Sequence, residues 1–302
     1  MPEPATAKTV FEAVDKADAM NIASDGRQLA FYGGSFTAIP VQTQEELLSA
    51  AYSCKQQGRI RSLRLSTRPD AIDMEILNRL KRFGVETIEL GAQSLDEEVL
   101  LLSGRGHTAE DVVRSSRLIK DNGFRLILQM MTGLPGDSDE KCLETANKII
   151  ALNPDGARIY PTVIVRDTPL FDLWREGRYP EHTVEDAVRV CSKILPLFEK
   201  AGIPVIRLGL NPTDELSSGD AVAGAYHPAL GELVKSRILY NELVELLSGT
   251  GVGSDVTVLC PKSKVSQLTG QHRCNVESII KEYGLHSFKI LARDDIDEIA
   301  FQ

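Results

Sequence analysis

No C-x-x-C pair occurs in this chain, and its five cysteines, Cys54, Cys142, Cys191, Cys260 and Cys274, lie far apart. That spacing gives no zinc site and no disulfide framework, and scattered reduced thiols suit a cytoplasmic protein. No apolar run approaches the ~18 residues a membrane span requires, so no membrane partner is expected. The opening Met1-Pro2-Glu3-Pro4 has neither the basic region nor the apolar core of a signal peptide. A G-x-G-x-x-G after the first strand is also missing, which removes the usual fingerprint of dinucleotide binding. Basic charge is scarce as well. Against 43 Asp and Glu there are 34 Lys and Arg, a net charge of −9, which argues against a large non-specific nucleic-acid surface.

What is present is a regular alternation of strands and helices over 302 residues, with 42% hydrophobic residues to build a core. The apolar run Leu29 to Tyr32 reads as a buried strand stopped by Gly33 and Gly34, where bare backbone lets a ligand approach closely. Ser62 to Pro69, Thr87 to Ser94, Phe124 to Met131, Gly156 to Val165 and Val205 to Gly209 read as five more strands. Helices fall between them, four of them opened by the apparent capping boxes Thr43/Glu46, Ser94/Glu97, Thr108/Asp111 and Thr183/Asp186. A helix over Thr9 to Met20 comes first, with no strand ahead of it.

Strand and helix in turn predict a parallel sheet, and right-handed crossovers coil such units into a barrel or part of one. The fold expected is therefore α/β: a partial (β/α)6 TIM-like barrel lacking its first strand, with a small C-terminal α/β module. A doubly wound open sheet is the alternative. In a barrel the C-terminal strand ends share one face, where catalytic groups collect. That rim would carry Gly33, Gly34, Ser35, Ser66, Arg68, Gln93, Gln129, Thr132, Tyr160 and Arg207.

The expected organisation is a barrel core over residues 1–215, a connecting loop and helix over 216–249, and the module over 250–302. Ser217 to Gly224 reads as a loop or lid, and Gly249 to Gly253 as a flexible link. The module reads strand, helix, turn, helix, strand, with the turn at Gly270-Gln-His-Arg273. This layout is similar to a KH module, which clamps single-stranded RNA with a G-X-X-G loop, although Arg273 stands where the second glycine belongs. Four Lys or Arg against two Glu over residues 260–283 make a local basic patch. A small α/β cap on the barrel is the plainer reading.

Taken in order, several stretches resemble the radical S-adenosylmethionine (SAM) enzymes, in the branch of the Elongator catalytic subunit and its shorter bacterial relatives. They are Phe31-Tyr-Gly-Gly-Ser-Phe-Thr37, Ser66-Thr-Arg-Pro-Asp70, Glu89-Leu-Gly-Ala-Gln-Ser94, Gly104-Arg-Gly-His-Thr108, Gln129-Met-Met-Thr-Gly-Leu-Pro-Gly136 and Arg158-Ile-Tyr-Pro-Thr162. Leu170 to Tyr179 adds to the set.

The resemblance implies a partial barrel holding SAM and a [4Fe-4S] cluster. An electron from the cluster cleaves SAM to a 5′-deoxyadenosyl radical, which abstracts hydrogen from a substrate. By motif position, Gly33, Gly34 and Ser35 would receive the SAM amino group, and Ser66 and Arg68 its carboxylate. Gln93 and Gln129 would address the ribose, and the Gly133–Gly136 turn, with Pro135, would pass the adenine. Tyr160, Arg207 and His227 are candidates for the substrate. Each has a plainer reading too: Arg68 can pair with Asp70, Tyr160 can be core, and His107 and His227 can be structural. The two glutamines resist such a reading, since a buried amide needs partners.

The family's C-x-x-x-C-x-x-C motif does not occur here, so no metal ligand is expected in this chain. The expectation is an N-terminally truncated member, inactive as written, whose exposed first strand invites association. RNA, in particular tRNA, is the candidate substrate, reached through the C-terminal module, with a flavodoxin or ferredoxin as electron donor for a full-length form. A cluster-less SAM-binding or scaffold protein of the same fold, and an unrelated barrel enzyme of metabolism, are the competing readings.

Overall fold

The computed structural model describes residues 5–210, 220–248 and 255–301. Six strands form one curled, parallel half-barrel: β1 (Gln28–Phe31), β2 (Ser62–Thr67), β3 (Val85–Gln93), β4 (Arg125–Thr132), β5 (Gly156–Pro161) and β7 (Val205–Leu208). They lie side by side in chain order, β1-β2-β3-β4-β5-β7. A doubly wound sheet would reverse that order partway across, so the winding is that of a barrel. Helices α1 (Ala7–Ala19), α2 (Val41–Gln56), α3 (Met74–Arg82), α4 (Glu97–Leu102), α5 (Ala109–Asp121) and α6 (Asp139–Ala151) come before or between these strands. Among the described residues, no helix is long and apolar enough to cross a membrane.

Period-two alternation sorts the strand residues onto two faces. Leu63 and Leu65 of β2, Ile88, Leu90 and Ala92 of β3, and Leu126 and Leu128 of β4 are all buried completely. The alternate positions are Arg64 and Ser66, Glu89, Gly91 and Gln93, Gln129, and Arg158 and Tyr160. The opposite face of the same strands is therefore polar. At the edge, β1 is only half covered, alternating exposed and intermediate positions along its four residues.

Two of the four expected capping boxes exist. Thr108 and Asp111 satisfy each other's backbone at the start of α5, as do Thr183 and Asp186 before α8 (Val184–Lys200). The other two are corrected. Helix α2 starts at Val41 behind Pro40, so Thr43 already lies inside its first turn, and Glu46 instead accepts from the Ala7 N–H at 3.0 Å. Before α4 the cap is Asp96, which accepts from the Val99 N–H. Ser94 instead lies 3.3 Å from the Thr145 hydroxyl, and Glu97 reaches the Ala109 N–H at the mouth of α5.

The strand expected over 156–165 is two strands. Pro161, which has no N–H to offer a ladder, ends β5. Then β6 (Val163–Val165) pairs antiparallel with β8 (Ala221–Gly224) in a separate ribbon. Part of the stretch expected to be a loop or lid is thus a strand; residues 217–219 and the link at 249–253 lie outside the described residues.

By its internal contacts the chain divides into two compact units, Met1–Tyr160 with Leu197–Arg207, and Pro161–Pro196 with Leu208–Gln302. The second includes helices α7 (Pro169–Arg175) and α9 (Leu230–Ser248). It also includes a three-stranded sheet in the order β10-β9-β11, from β9 (Asp255–Pro261), β10 (Ser287–Arg293) and β11 (Ala300–Phe301), with α10 (Val265–Thr269) and α11 (Cys274–Tyr283) between the first two. Leu239, Leu243 and Leu247 of α9 join Val256, Val258 and Ile279 in one buried cluster. In the turn, Arg273 takes a left-handed φ of 64°, the conformation a glycine would adopt there without strain.

Candidate functional site

The polar face of the half-barrel closes on a cavity of about 390 Å³, a volume in the range of small-molecule sites. Its lining includes Tyr32, Gly34 and Ser35 from the end of β1, Ser66 and Arg68 from β2, and Glu89 and Gln93 from β3. Gln129 of β4, Arg158 and Tyr160 of β5, and the loop Gly104 to His107 after α4 complete it. Residues far apart in sequence meet because neighbouring parallel strands put their C-terminal ends on one rim.

The two glutamines stand together. Gln129 Nε2 donates to Gln93 Oε1 at 3.0 Å and to the Met130 carbonyl at 3.1 Å. Both amide hydrogens of Gln129 are then used, while its Oε1 and the Nε2 of Gln93 stay open. One donor group and one acceptor side by side match a pair of hydroxyls, each of which both gives and takes a hydrogen bond. The arrangement has a backbone cost. Gln93 sits at φ 63° next to an irregularity in the β3–β4 register, a conformation a non-glycine residue holds only under constraint. Its side chain folds back over Gly91, where a Cβ would stand 2.6 Å from Gln93 Nε2.

Deeper in, Glu89 is the hub of a charged network. Its carboxylate, 4% exposed, accepts from Arg64 Nη1 and from the Tyr32 hydroxyl, each at 2.6 Å. Arg158 Nε stands 3.0 Å from its second oxygen. Arg158 also donates to the Tyr160 and Tyr32 hydroxyls, both at 3.0 Å. Burial acts most strongly on Arg158 and lowers its proton affinity, but the Glu89 charge and the Tyr160 and Tyr32 hydroxyls together outweigh it and hold the affinity above the ordinary value. Burial, helped by the Glu89 hydrogen bond, pushes the Tyr32 phenol up.

Of the candidate residues, Gly34, Ser35, Ser66, Arg68, Gln93, Gln129 and Tyr160 come together here. Ser66 Oγ donates to the Gly34 carbonyl over a long 3.4 Å, and Arg68 pairs with Asp70. Gly33 instead lines a neighbouring apolar groove with Phe31, Phe36 and Leu47. Gly133 and Pro135 are not among the lining residues; their turn is tied to Asp137, which accepts from the Gly133 N–H at 3.0 Å and the Cys142 thiol at 3.0 Å. Arg207 is not among the lining residues either. In the second unit, His227 Nδ1 accepts from the Ala229 N–H at 3.1 Å just before α9.

Tyr32, Arg64, Glu89, Arg105 and Arg158 were not picked out from the sequence as site residues. The signal that could have found four of them is the alternation itself. Arg64 stands two before Ser66, Glu89 four before Gln93, Arg158 two before Tyr160, and Tyr32 just past the end of β1, all in phase with the polar face.

The lining fits SAM, with an amide pair suited to a ribose and a hydroxyl and guanidinium suited to a carboxylate. A [4Fe-4S] cluster is another matter. Cys54, Cys142, Cys191 and Cys260 are buried in four different elements and Cys274 alone is exposed. Among the described residues, no three His, Cys, Asp or Glu side chains stand close enough to hold a metal. These residues do not fit the cluster.

Comparison with known proteins finds relatives over most of the chain. The Radical SAM superfamily profile matches residues 1–149, and the Radical_SAM C-terminal domain profile matches residues 154–239. Human Elongator complex protein 3 is 30% identical over 185 residues, which are 55% of this chain and 34% of the relative. A tRNA uridine(34) acetyltransferase from Methanocaldococcus infernus is 26% identical over 207 residues, 62% of this chain and 39% of that protein. The chain thus spans about a third of the length of the curated relatives it matches. The solved structure of the archaeal M. infernus Elp3 with an N-terminal deletion superposes with a TM-score of 0.67 at 25% identity, covering 78% of this chain and 59% of the other. By these matches and by its six-stranded half-barrel, the chain belongs to the radical SAM superfamily, whose members use SAM and a [4Fe-4S] cluster.

Proposed function

We propose that this chain binds SAM in the half-barrel cavity and presents it to an RNA substrate, as part of an enzyme related to the Elongator catalytic subunit. The observation that carries the reading is the paired amides of Gln93 and Gln129, with one open donor group and one open acceptor facing a cavity of about 390 Å³. Gln93 and Gln129 hold the ribose hydroxyls. Ser66 and Arg68 take the carboxylate, with Arg68 held in place by Asp70. Ser35 and the Gly33–Gly34 backbone receive the amine, and the Gly133–Gly136 turn with Pro135 borders the adenine. Tyr160, fixed through Arg158, faces the substrate, and Arg207 is a further substrate contact. In this superfamily SAM supplies the hydrogen-abstracting 5′-deoxyadenosyl radical. The part assigned to this chain's own side chains is to bind and orient SAM. A cytoplasmic setting, with a flavodoxin or ferredoxin as electron donor, completes the reading. Relatives named for tRNA uridine support RNA as the substrate class.

Calorimetry with SAM on the chain, without added iron, tests it. Saturable binding is expected, with Gln93→Ala and Gln129→Ala each weakening it by roughly tenfold, the scale of one or two lost hydrogen bonds. No heat from the unmodified chain, or binding unchanged in both variants, would overturn the assignment.

A further inference from the structure

Two glycines carry the backbone past the end of β1, and Gly33 takes a left-handed φ of 100°. At neither Gly33 nor Gly34 would a Cβ meet an atom within 4 Å. Glycine constrains the backbone least of all residues, so a fixed amine receptor here needs an anchor. Direct ties to the neighbouring strand end are weak, because Ser66 Oγ reaches the Phe31 and Gly34 carbonyls only at 3.5 and 3.4 Å.

The anchor lies just downstream, in the short 3-10 turn Phe36–Ala38, where Phe36 and Thr37 are buried. The Phe36 ring packs on Phe31 with centroids 4.8 Å apart. Thr37 Oγ1 donates to the Ala71 carbonyl at 2.5 Å. A hydroxyl has one hydrogen, so in the 2.5 Å contact between Thr37 and Thr67 it is Thr67 that donates. Thr67 Oγ1 in turn accepts from the Thr37 N–H at 3.4 Å. The hydrogen bonds therefore run one way, from the Thr37 N–H through the Thr67 and Thr37 hydroxyls to Ala71. Behind them, Gln44 Nε2 donates to the Thr37 and Ile39 carbonyls at 3.1 and 2.7 Å. Arg79 Nη1 donates to Gln44 Oε1 at 3.0 Å, and all four side chains are buried.

A pair of valines would fill the space of the two threonines without a polar group to bury. What the hydroxyls add is register. Thr67 stands between Ser66 and Arg68, and Thr37 follows Ser35 by two residues, so the pair ties together the two strand ends that flank the cavity. Arg68 is fixed from its other side by Asp70, and by Gly106, where a Cβ would fall 2.4 Å from Nη2. We propose that Thr37 and Thr67 are positioning residues for the amino-acid half of SAM, holding Gly33–Ser35 against Ser66. Thr37 is not among the residues lining the cavity and acts only through its neighbours. This assignment rests on the SAM reading and adds to it what sets the receptor's geometry.

S-adenosylhomocysteine and 5′-methylthioadenosine share an adenosine and a thioether and differ in the amino-acid half. Calorimetry on the full chain should show the unmodified protein preferring the former by at least roughly tenfold, the scale of a charge-assisted hydrogen bond. Thr37→Val should cut the affinity for S-adenosylhomocysteine roughly tenfold and leave that for 5′-methylthioadenosine unchanged. Thr37→Ser, which keeps the hydroxyl, should restore most of the loss. Circular dichroism checks the fold. If Thr37→Val does not fold, the double variant Thr37→Val/Thr67→Val takes its place, since removing both partners together is better tolerated than stranding one. It should show the same selective loss.

Equal losses for the two ligands would make the pair merely structural and overturn the proposal, as would a preference unchanged by Thr37→Val. An unmodified chain that binds both ligands equally also overturns it, while leaving the adenosine half of the SAM reading in place. Binding of neither ligand would sink the SAM reading, and the positioning role with it.

Discussion

Arg158 and Arg105 border the same cavity, one from β5 and one from the loop after α4, under opposite conditions. Arg158 shares a nearly fully buried carboxylate with Arg64 and Tyr32, and donates to the Tyr32 and Tyr160 hydroxyls. Arg105 has a thioether. A buried cation whose partner is built into the fold works as architecture, because removing either member strands the other in a poor solvent. A desolvated cation without such a partner contributes little to the fold, and its charge is left for whatever enters.

Stability measurements can break this contrast. Glu89→Gln should be the most damaging change, since it leaves Arg64 and Arg158 uncompensated, and denaturant unfolding should show a loss of about 3–5 kcal/mol. A loss below about 1 kcal/mol would mean that the network is not the support described here. Gln93→Gly should move stability and binding apart. Relief of the left-handed backbone leaves the fold unchanged or up to about 1 kcal/mol more stable, while SAM binding weakens.

Asp137 is the acidic counterpart of Arg105, half-buried with a thiol and backbone N–H groups in place of a cation. Burial raises its carboxyl above the ordinary value, only partly opposed by the Cys142 thiol and those N–H groups. A carboxyl raised in the folded state binds more protons folded than unfolded. Its contribution is therefore complete below the unfolded value, near pH 4, and is lost as the pH rises through the folded one. Asp137→Asn should flatten the pH dependence of unfolding above about pH 4, and an unchanged slope would count against the burial argument. The smallest effect belongs to Arg105→Met, expected within about 0.5 kcal/mol of the unmodified chain. A large destabilisation there would place Arg105 with the architectural arginines after all.

Much of this was legible in the sequence. The strands showed through period-two runs ending in glycine or polar residues, and Thr108 and Thr183 announced their helices because each is the residue immediately before the first turn. Thr43 and Ser94 misled because a better-placed Pro40 and Asp96 stood nearby, and spacing alone does not rank competitors. The glutamines were conspicuous as amides on apolar strands.

Arg64, Glu89 and Arg158 were not, since one charge inside a strand also fits a solvent-facing position. Their pairing spans 25 and 69 residues of sequence and exists only once strand order and register are known. Arg105 was hidden for a different reason. Charge in a glycine-flanked loop ordinarily means solvent, and its isolation becomes visible only when every neighbouring carboxylate has been assigned to someone else.

The contact of Gly106 with Arg68 carries a consequence for how this loop tolerates change. Any side chain at position 106 would occupy the space of the guanidinium that pairs with Asp70, so the two positions form one unit of variation. Because the displaced atom is the far end of a flexible side chain, Gly106→Ala should leave the fold intact and weaken binding only as far as Arg68→Ala does.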